Sequence, residues 1–431
     1  MDNKKNTPLT AVVSNIDGEI FDLDGFAAVG SAGTSLVILT EAETIPIPHG
    51  GELMFLPDRM PILFNMETGC FETRKENPYV SGEQIFPVAV FNSPGYVNTA
   101  TTAYEEGNKA SLLPLFSYGA AGFLKDDFRS AVIQIDSEPR QDLRYMAHEK
   151  IIDGVQKIKE LMPANRLRNH IEKCALEYGC PAAKNFFLGR YEAPLPTSGS
   201  CNSRCLGCIS LQKGTEISSP QERIAFTPKP EEIVEVAMHH IQKVKKSIVS
   251  FGQGCEGDPL MAAHVIEPAL KKIRSLTNSG TINMNTNGSR PDILAGLLDA
   301  GLDSIRVSIN SFRQSCYHAY FRPVSYSFED VVESIDIAVQ KGKFVSINYL
   351  NCPGVTDTTE EIEALYEFLD HHTVHLIQWR NLNFDPKKYR EIMFETEEHG
   401  EPIGMSRFIR LIKKRYPALK HGYFNPPKET F

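Results

Sequence analysis

The stretch Ser198-Gly-Ser-Cys201-Asn-Ser-Arg-Cys205-Leu-Gly-Cys208-Ile209 decides how this chain folds and what it binds. Its three cysteines follow the spacing C-x3-C-x2-C, so one short loop can present three thiolates to a cubic iron–sulfur cluster. Three thiolates hold three corners of a [4Fe–4S] cluster and leave the fourth iron open. A cluster with an open iron is a reaction centre before it is an electron carrier.

A zinc site, a redox dithiol and a disulfide knot each account for the three cysteines less completely than a cluster does. A structural zinc ion needs four ligands, and no further cysteine or histidine lies near Cys208, since the next cysteine is Cys255. A redox dithiol uses only two of the three cysteines. A disulfide knot needs an oxidising compartment, for which the sequence gives no sign.

Length and composition set the class of protein. With 431 residues the chain is long enough for two or three domains, and 42% apolar and 23% charged residues are typical of a soluble protein. The net charge of −9 argues against a nucleic-acid partner. The amino terminus has no apolar signal segment and the apolar runs are too short for a membrane span, so we expect a cytoplasmic protein without membrane contact.

The sequence predicts four segments. Residues 1–145 alternate short apolar runs with turn residues and form a separate β-rich domain. Residues 146–185 carry two amphipathic helical stripes and form a helical connector. Residues 186–385 alternate strands and helices. Residues 386–431 form a C-terminal extension with a helix.

The alternation in the third segment predicts a parallel sheet with right-handed crossovers. The predicted strands are Arg190–Pro194, Ser247–Gly252, Thr281–Asn285, Ser304–Asn310, Phe344–Leu350 and Val374–Trp379. The predicted helices span 228–244, 260–276, 291–300, 328–340 and 359–371, and the last of these begins at a capping box from Thr358 to Glu361.

The strands have one polar face each. Arg306 and Ser308 alternate with Val307 and its apolar neighbours, and Asn283 alternates with Ile282 in the same way. The apolar faces can pack against the helices, so the polar faces must point inward. Burying these groups unpaired would cost about 1–3 kcal/mol each, so we expect the interior to hold water, cofactor and substrate.

The cysteine loop, the stretch Gly257-Asp258-Pro259-Leu260 and the segment Asn285-Thr-Asn-Gly288 together resemble motifs of the radical S-adenosylmethionine (radical SAM) enzymes. The resemblance covers residues 190–383. It implies an α/β fold with a partial (β/α)6 TIM-like barrel, a [4Fe–4S] cluster and S-adenosyl-L-methionine as cofactors, sensitivity to oxygen, and a reductant such as flavodoxin or ferredoxin.

The resemblance also implies roles for individual residues. Cys201, Cys205 and Cys208 would bind the cluster. Either Glu256 or Asp258 would accept the ammonium group of S-adenosylmethionine beside Gly257, and the sequence leaves that choice open. The remaining residues predicted to seat the cofactor are Asn285, Asn287, Ser308, Asn310 and Arg322. Many family members carry an aromatic residue before the third cysteine, where this chain has Gly207.

Three residues are predicted to take part in catalysis. Arg380, at the end of the sixth strand, is the candidate for binding an anionic substrate. Cys255 and Cys316 follow strand ends, and a thiol there could donate hydrogen to a substrate radical. A buried thiol with no chemistry is the alternative for each of them.

The predicted reaction is reductive cleavage of S-adenosylmethionine to a 5'-deoxyadenosyl radical that abstracts hydrogen from a substrate the sequence does not identify. Two alternatives remain open from the sequence. One is an RNA methyltransferase of the same superfamily, which a basic stripe on the cavity rim would support. The other is a non-catalytic iron–sulfur electron carrier or sensor.

Overall fold

The computed structural model describes residues 6–212, 214 and 216–431. An antiparallel β-rich domain is present at the amino-terminal side, as predicted, while its bounds of 1–145 stay a prediction and residues 1–5 lie outside the described part. Most of its strands pair antiparallel in one sheet, and two further strands, β10 and β15, form a separate antiparallel pair. The strands are β1 Thr10–Ser14, β2 Ile20–Ala27, β3 Val29–Ala32, β4 Ser35–Ile38, β5 Ile45–Pro46, β6 Glu52–Phe55, β7 Arg59–Asn65, β8 Cys70–Thr73, β9 Phe86–Phe91, β10 Tyr96–Asn98, β11 Thr101–Thr102, β12 Tyr104–Glu106, β13 Gly119–Leu124, β14 Asp127–Ser130 and β15 Val132–Gln134.

A helical connector follows. The two predicted helices are α1 His148–Leu161 and α2 Arg166–Leu176, and a third helix, α3 Pro181–Leu188, was not predicted. The apolar stripe of α2 includes Cys174 and is buried, as its periodicity indicates. Helix α3 begins with a proline in its first turn and ends at Gly189, which has a left-handed φ of +62°.

The third part is a partial barrel of parallel strands in sequential order. Its strands are β16 Glu192–Pro194, β17 Ile248–Phe251, β18 Thr281–Thr286, β19 Ser304–Ile309, β20 Phe344–Asn351, β21 Leu376–Asn381 and β22 Lys420–Gly422. Its helices are α4 Pro230–Lys243, α5 Ala263–Leu276, α6 Pro291–Ala300, α7 Gln314–Phe321, α8 Phe328–Gln340, α9 Thr359–His371, α10 Pro386–Thr396 and α11 Met405–Arg415.

Two details differ from the prediction. The sheet has a seventh strand, β22, which pairs with β21 and belongs to the segment that we expected to be a separate extension. The capping box at the start of α9 does not form. The Thr358 hydroxyl donates to the Val355 carbonyl at 2.9 Å, and Glu361 accepts the Ser311 hydroxyl at 2.7 Å instead.

The strand faces divide as predicted. Ile282 and Val307 are fully buried on the helix-facing side, whereas Ser304 donates to Asn283 at 2.9 Å on the inner side. Arg306 also points inward and donates to Gln378 at 3.0 Å. The polar groups of neighbouring strands therefore satisfy one another before any ligand is considered.

The C-terminal segment after β22 fills part of this interior. The Asn425 amide donates to Glu192 of β16 at 2.9 Å and accepts from Gln378 of β21 at 3.0 Å, so it bridges the two sides of the open barrel. Farther along, the Lys428 amide donates to the Thr281 hydroxyl at 2.7 Å. The expectation that the interior is left to water, cofactor and substrate is therefore wrong for this region.

The β-rich domain is fixed to the barrel by a buried ion pair. Arg59 of β7 lies 3.4 Å from the carboxylate of Asp385, and their side chains are 2% and 0% exposed. The same carboxylate accepts from the Tyr104 hydroxyl at 3.1 Å and from the Leu113 amide at 3.2 Å. It also caps α10 by accepting from the Lys387 amide. One side chain thus orients both the β-rich domain and α10.

Candidate functional site

The cysteine loop follows β16 and lies at the carboxyl end of the sheet, where ligands of parallel α/β folds bind. Its backbone pairs with the end of α7. The Arg204 amide donates to the Phe321 carbonyl at 3.0 Å, and the Leu206 amide donates to the Tyr320 carbonyl at 3.0 Å. These backbone bonds fix the loop independently of any bound cluster.

Gly207 explains why this chain lacks an aromatic residue before its third cysteine. A Cβ atom at Gly207 would lie 2.7 Å from the Tyr320 hydroxyl and 2.8 Å from the Asn383 carbonyl oxygen. The loop backbone therefore packs directly on α7 and on the segment after β21. A larger side chain at position 207 would push the cysteine loop away from both.

The three thiols open onto one cavity of about 960 Å³, to which Cys201, Cys205 and Cys208 all contribute. Among the described residues, two groups of three possible metal ligands have their ligand atoms within 4.8 Å of one another, and the loop cysteines belong to neither. This wider spacing favours a cluster of several irons over a single zinc ion.

Burial of the thiols affects their protonation and therefore cluster binding. Burial raises the pKa of Cys201 to about 11, and burial likewise raises the pKa of Cys205 well above its ordinary value. Since thiolates are the ligands, iron must displace protons when it binds. Arg223 donates to the Cys208 sulfur at 3.4 Å and supplies positive charge on the same wall.

Gly257 joins the glycine-rich motif to the cysteine loop. Its amide donates to the Ser198 carbonyl at 2.6 Å, and a Cβ atom at this position would lie 1.9 Å from the Ser200 carbonyl oxygen. No side chain larger than hydrogen fits against the backbone there. The predicted cofactor motif and the cluster loop are therefore packed together at one place.

Glu256 is saturated by backbone amides. It accepts from Thr197 at 2.7 Å and Ser198 at 2.9 Å before the cysteine loop, and from Gly252 and Gln253 at 2.7 Å each after β17. Burial raises its pKa to about 7, while these four amides act in the opposite direction. A carboxylate has about four acceptor sites, so Glu256 shapes the two loops and has no acceptor left for a cofactor ammonium.

Asp258 and Asn287 connect the motif to the loop after β18. Asp258 accepts from the Thr286 hydroxyl at 2.9 Å and from the Asn287 amide at 2.6 Å. The Asn287 side chain in turn donates to Asn202 at 2.8 Å and to Ser203 at 2.9 Å, both within the cysteine loop. Three segments predicted to serve one site are thus held in one hydrogen-bond network.

Asn285 lies beside this network, and its side chain donates to the Gly252 carbonyl at 2.9 Å. Ser308 is half-buried on the inner face and pairs in register with Asn348. Asn310 is turned away: it is buried and donates to the Cys316 carbonyl and the Tyr389 hydroxyl, both at 3.1 Å. The structure therefore groups Asn285 and Ser308 with the inner face and places Asn310 between α7 and α10.

Arg380 is held by the C-terminal segment. It donates to Asn348 at 3.1 Å and to the Tyr423 carbonyl at 2.6 Å, and its guanidinium carbon lies 3.7 Å from the centre of the Tyr423 ring. It does not line the cavity beside the cysteines. Its predicted role in binding an anionic substrate stays a prediction, and its side chain is already paired with Asn348 and Tyr423.

The two catalytic cysteine candidates are also outside the cavity lining. Cys255 is buried beside Cys174 and His170. Cys316 is fully buried on α7 beside Glu361 and His399. A role as hydrogen donor to a substrate radical stays a prediction for both residues, and the structure places neither of them at the cavity wall.

Arg322 is the one predicted side chain, apart from the cysteines, that lines the cavity. It follows α7 with a left-handed φ of +47°. Three further cations share the lining, namely Arg204, Arg223 and Lys388, and no acidic residue occurs in the part of the lining that is described. Sequence reasoning missed these three because they come from two loops and from α10, which only the fold brings together.

Part of the chain matches a known protein family. Residues 195–369 match the family model of the radical SAM superfamily. No curated protein matches the chain. Among solved structures, the chain is similar to HydG, a maturase of the [FeFe]-hydrogenase, at 15% identity over 65% of this chain and 69% of that one, with a TM-score of 0.36.

Two further structures are similar at the same level. Methylornithine synthase (PylB) is 14% identical over 65% of this chain and 74% of that one, with a TM-score of 0.39. A radical SAM methyltransferase from Sphaerobacter thermophilus is 13% identical over 54% of this chain and 65% of that one, with a TM-score of 0.39.

The matched residues include strands β17 to β20 of the parallel partial barrel and the three-cysteine loop at its carboxyl edge. Residues 195–369 form a radical SAM domain, and the cofactors of that superfamily are a [4Fe–4S] cluster and S-adenosylmethionine. The alternative of a non-catalytic carrier is thereby set aside. Of the helices described, none has the length and apolar character needed to cross a membrane.

Proposed function

We propose that this enzyme binds its cluster through Cys201, Cys205 and Cys208 and cleaves S-adenosylmethionine reductively. When bound, the cluster supplies one electron to S-adenosylmethionine, which yields methionine and a 5'-deoxyadenosyl radical that takes hydrogen from the substrate. The single observation that supports this most is the contact between Gly257 and Ser200, because it joins the cofactor motif to the cluster loop at the cavity.

The chain's own residues have separable tasks in this proposal. Glu256 and Asp258 hold the loops that carry Gly257 and Asn287, and Asn285 and Ser308 present polar groups to the cofactor from the inner face. Arg322 is free to reach an anionic group in the cavity, such as a carboxylate of cofactor or substrate. Asn310, in contrast, supports α7 from behind.

The cavity lining favours an anionic substrate. Arg204, Arg322 and Lys388 surround the thiols without a carboxylate in the described lining, so a negatively charged molecule would gain charge-assisted hydrogen bonds there. The β-rich domain contributes Leu112 to the same wall, and we propose that this domain shapes the substrate entrance.

The same cations support a second candidate, an RNA methyltransferase of the superfamily, since phosphates are the anions that such a wall would bind. The net charge of −9 opposes it. Methyl transfer from labelled S-adenosylmethionine to RNA, with strong salt dependence, would favour this candidate over a small anionic substrate.

All nine cysteines are free thiols, which supports a reducing, cytoplasmic location and supply of electrons by flavodoxin or ferredoxin. The proposed function is tested by reconstituting the protein without oxygen, adding dithionite and S-adenosylmethionine, and measuring 5'-deoxyadenosine. We expect product from the wild type and from a control in which exposed Cys70 is replaced, Cys70→Ala, and none from Cys205→Ala.

A further inference from the structure

A second group of metal-binding side chains lies outside the cavity, where α2 meets the loop after β17. The ligand atoms of His170, Cys174 and Cys255 all lie within 4.8 Å of one another. The two cysteines are 2% and 5% exposed, and none of the three residues lines the cavity beside the cysteine loop. The cluster site does not use this group.

The fold brings these residues together in a defined way. His170 and Cys174 are four residues apart on α2, so their side chains share one face of the helix. Cys255 comes from the glycine-rich loop, two residues before Gly257. A helix that contributes two ligands and a loop that contributes a third are a common construction of protein metal sites.

The histidine has an unmet hydrogen-bonding requirement. Its Nε2 atom is buried and has no hydrogen-bond partner among the described residues. A buried polar atom without a partner destabilises the fold, and a metal bond would remove that penalty. The unpaired Nε2 atom is a second observation beside the two thiols, of which Cys174 already interacts with both His170 and Cys255.

Cys180 lies near this group, although its Sγ is not within 4.8 Å of all three ligand atoms. The Cys180 amide donates to the Cys174 carbonyl at 3.0 Å, which places the start of α3 beside the end of α2. The charges of the Cys174 and Cys255 thiols each interact with that of Cys180. Three thiolates and one imidazole form a ligand set that zinc uses in closed, structural sites.

We propose that His170, Cys174 and Cys255 bind one zinc ion and that the Cys180 side chain moves in to complete its coordination. Tetrahedral zinc with bonds of about 2.3 Å to sulfur separates its ligand atoms by about 3.8 Å. The observed separations among the first three ligand atoms, at most 4.8 Å, therefore need to shrink by no more than about 1 Å. The ion would tie α2 to the loop that carries Gly257 and so position the cofactor motif.

The test separates this ion from the cluster. In the full chain with Cys201, Cys205 and Cys208 all replaced by alanine, zinc and iron are counted by mass spectrometry after purification under reducing conditions. We expect about one zinc per chain. Adding either His170→Gln or Cys174→Ser to that background should reduce zinc to below about a tenth of this value, whereas adding Cys70→Ala should leave it unchanged.

Cobalt provides a second readout that does not depend on how well a variant folds. Co²⁺ exchanged into the same cluster-free chain should give the visible and near-ultraviolet bands of tetrahedral cobalt bound by thiolates. Three results would overturn the proposal: a cluster-free chain without metal, iron in place of zinc, or a Cys174–Cys255 disulfide in protein isolated without added oxidant.

Discussion

The α-carbon of Gly257 lies directly against the carbonyl oxygen of Ser200, so that a Cβ atom at position 257 would be 1.9 Å from that oxygen. The Asp258 amide donates to the same carbonyl at 3.0 Å. The cysteine loop and the glycine-rich loop therefore form one unit, and a change at Gly257 must displace the backbone that leads into Cys201.

Gly257→Ala should prevent cluster assembly while leaving the barrel folded, because the added methyl group displaces the cysteine loop by more than a side chain can absorb. We expect iron bound after reconstitution to fall at least about fivefold, with little change in far-ultraviolet circular dichroism. Gly296→Ala is the matched control, since Gly296 lies on α6 with no atom within 4 Å of the added Cβ. Equal iron in both variants would contradict the proposed contact.

Arg322→Gln tests which anion this cavity-lining guanidinium binds. Losing a charge-assisted hydrogen bond costs about 1.5–3 kcal/mol, so the KM for S-adenosylmethionine should rise about tenfold or more if Arg322 binds the cofactor carboxylate. The limiting rate of 5'-deoxyadenosine formation should stay near that of the wild type. Exposed Arg407→Gln on α11 is the control. An unchanged KM would assign Arg322 to the substrate instead.

Asp385→Asn should loosen the β-rich domain. The substitution leaves the buried Arg59 guanidinium with only the half-exposed Glu106, 3.8 Å away, as a counterion, and breaking such a buried pair typically costs up to about 3–5 kcal/mol. We expect a lower melting temperature and earlier proteolysis between the β-rich domain and the barrel. The control is Lys387, in the first turn of α10, which forms a half-exposed ion pair with Glu106 of β12. Lys387→Ala removes this pair and should cost under about 1 kcal/mol. Similar losses of stability in both variants would show that the buried ion pair is not the main interaction that holds the β-rich domain to the barrel.

His421 should make stability depend on pH. The Trp379 indole donates to its Nδ1 at 3.1 Å, and burial, followed by the charge of Lys413, lowers its pKa to about 4. Because the folded pKa lies below the unfolded value, this contribution is present above about pH 6.5 and is lost as the pH falls towards 4.

The loss should amount to about 2 kcal/mol between pH 6.5 and 4. Urea unfolding of the cluster-free protein should show a weaker pH dependence in His421→Asn than in the wild type. The substitution His264→Asn, at an exposed histidine on α5, should leave the slope unchanged. If His421→Asn kept the wild-type pH dependence of the free energy of unfolding, the proposed contribution of His421 would be disproved.

The parallel barrel followed from the sequence because strand periodicity, helix boundaries and the cysteine loop are local signals. Asn283 and Arg306 were correctly placed on an inner face by alternation alone. The seventh strand and Asn425 were not predicted, because a three-residue strand has no periodicity and its partners are far away in the sequence.

The residues of the site also divide into those predicted from local sequence and those that only the fold brings together. The cluster cysteines are adjacent in sequence and were predicted directly, whereas the cavity cations come from separate loops and a helix. The sequence could not decide whether Glu256 or Asp258 would accept the cofactor ammonium. Only the structure shows that four backbone amides already donate to Glu256. Asn310 shows the limit of alternation, because β19 ends at Ile309 and the next side chain turns towards α10.

The most direct test of the central claim is electron paramagnetic resonance of the dithionite-reduced, oxygen-protected protein with and without S-adenosylmethionine. A cluster held by Cys201, Cys205 and Cys208 alone has one iron free for the cofactor, so its signal should change shape and g-values when the cofactor is added. An iron–sulfur signal that the cofactor leaves unchanged, or bound zinc in place of iron at these cysteines, would contradict the account.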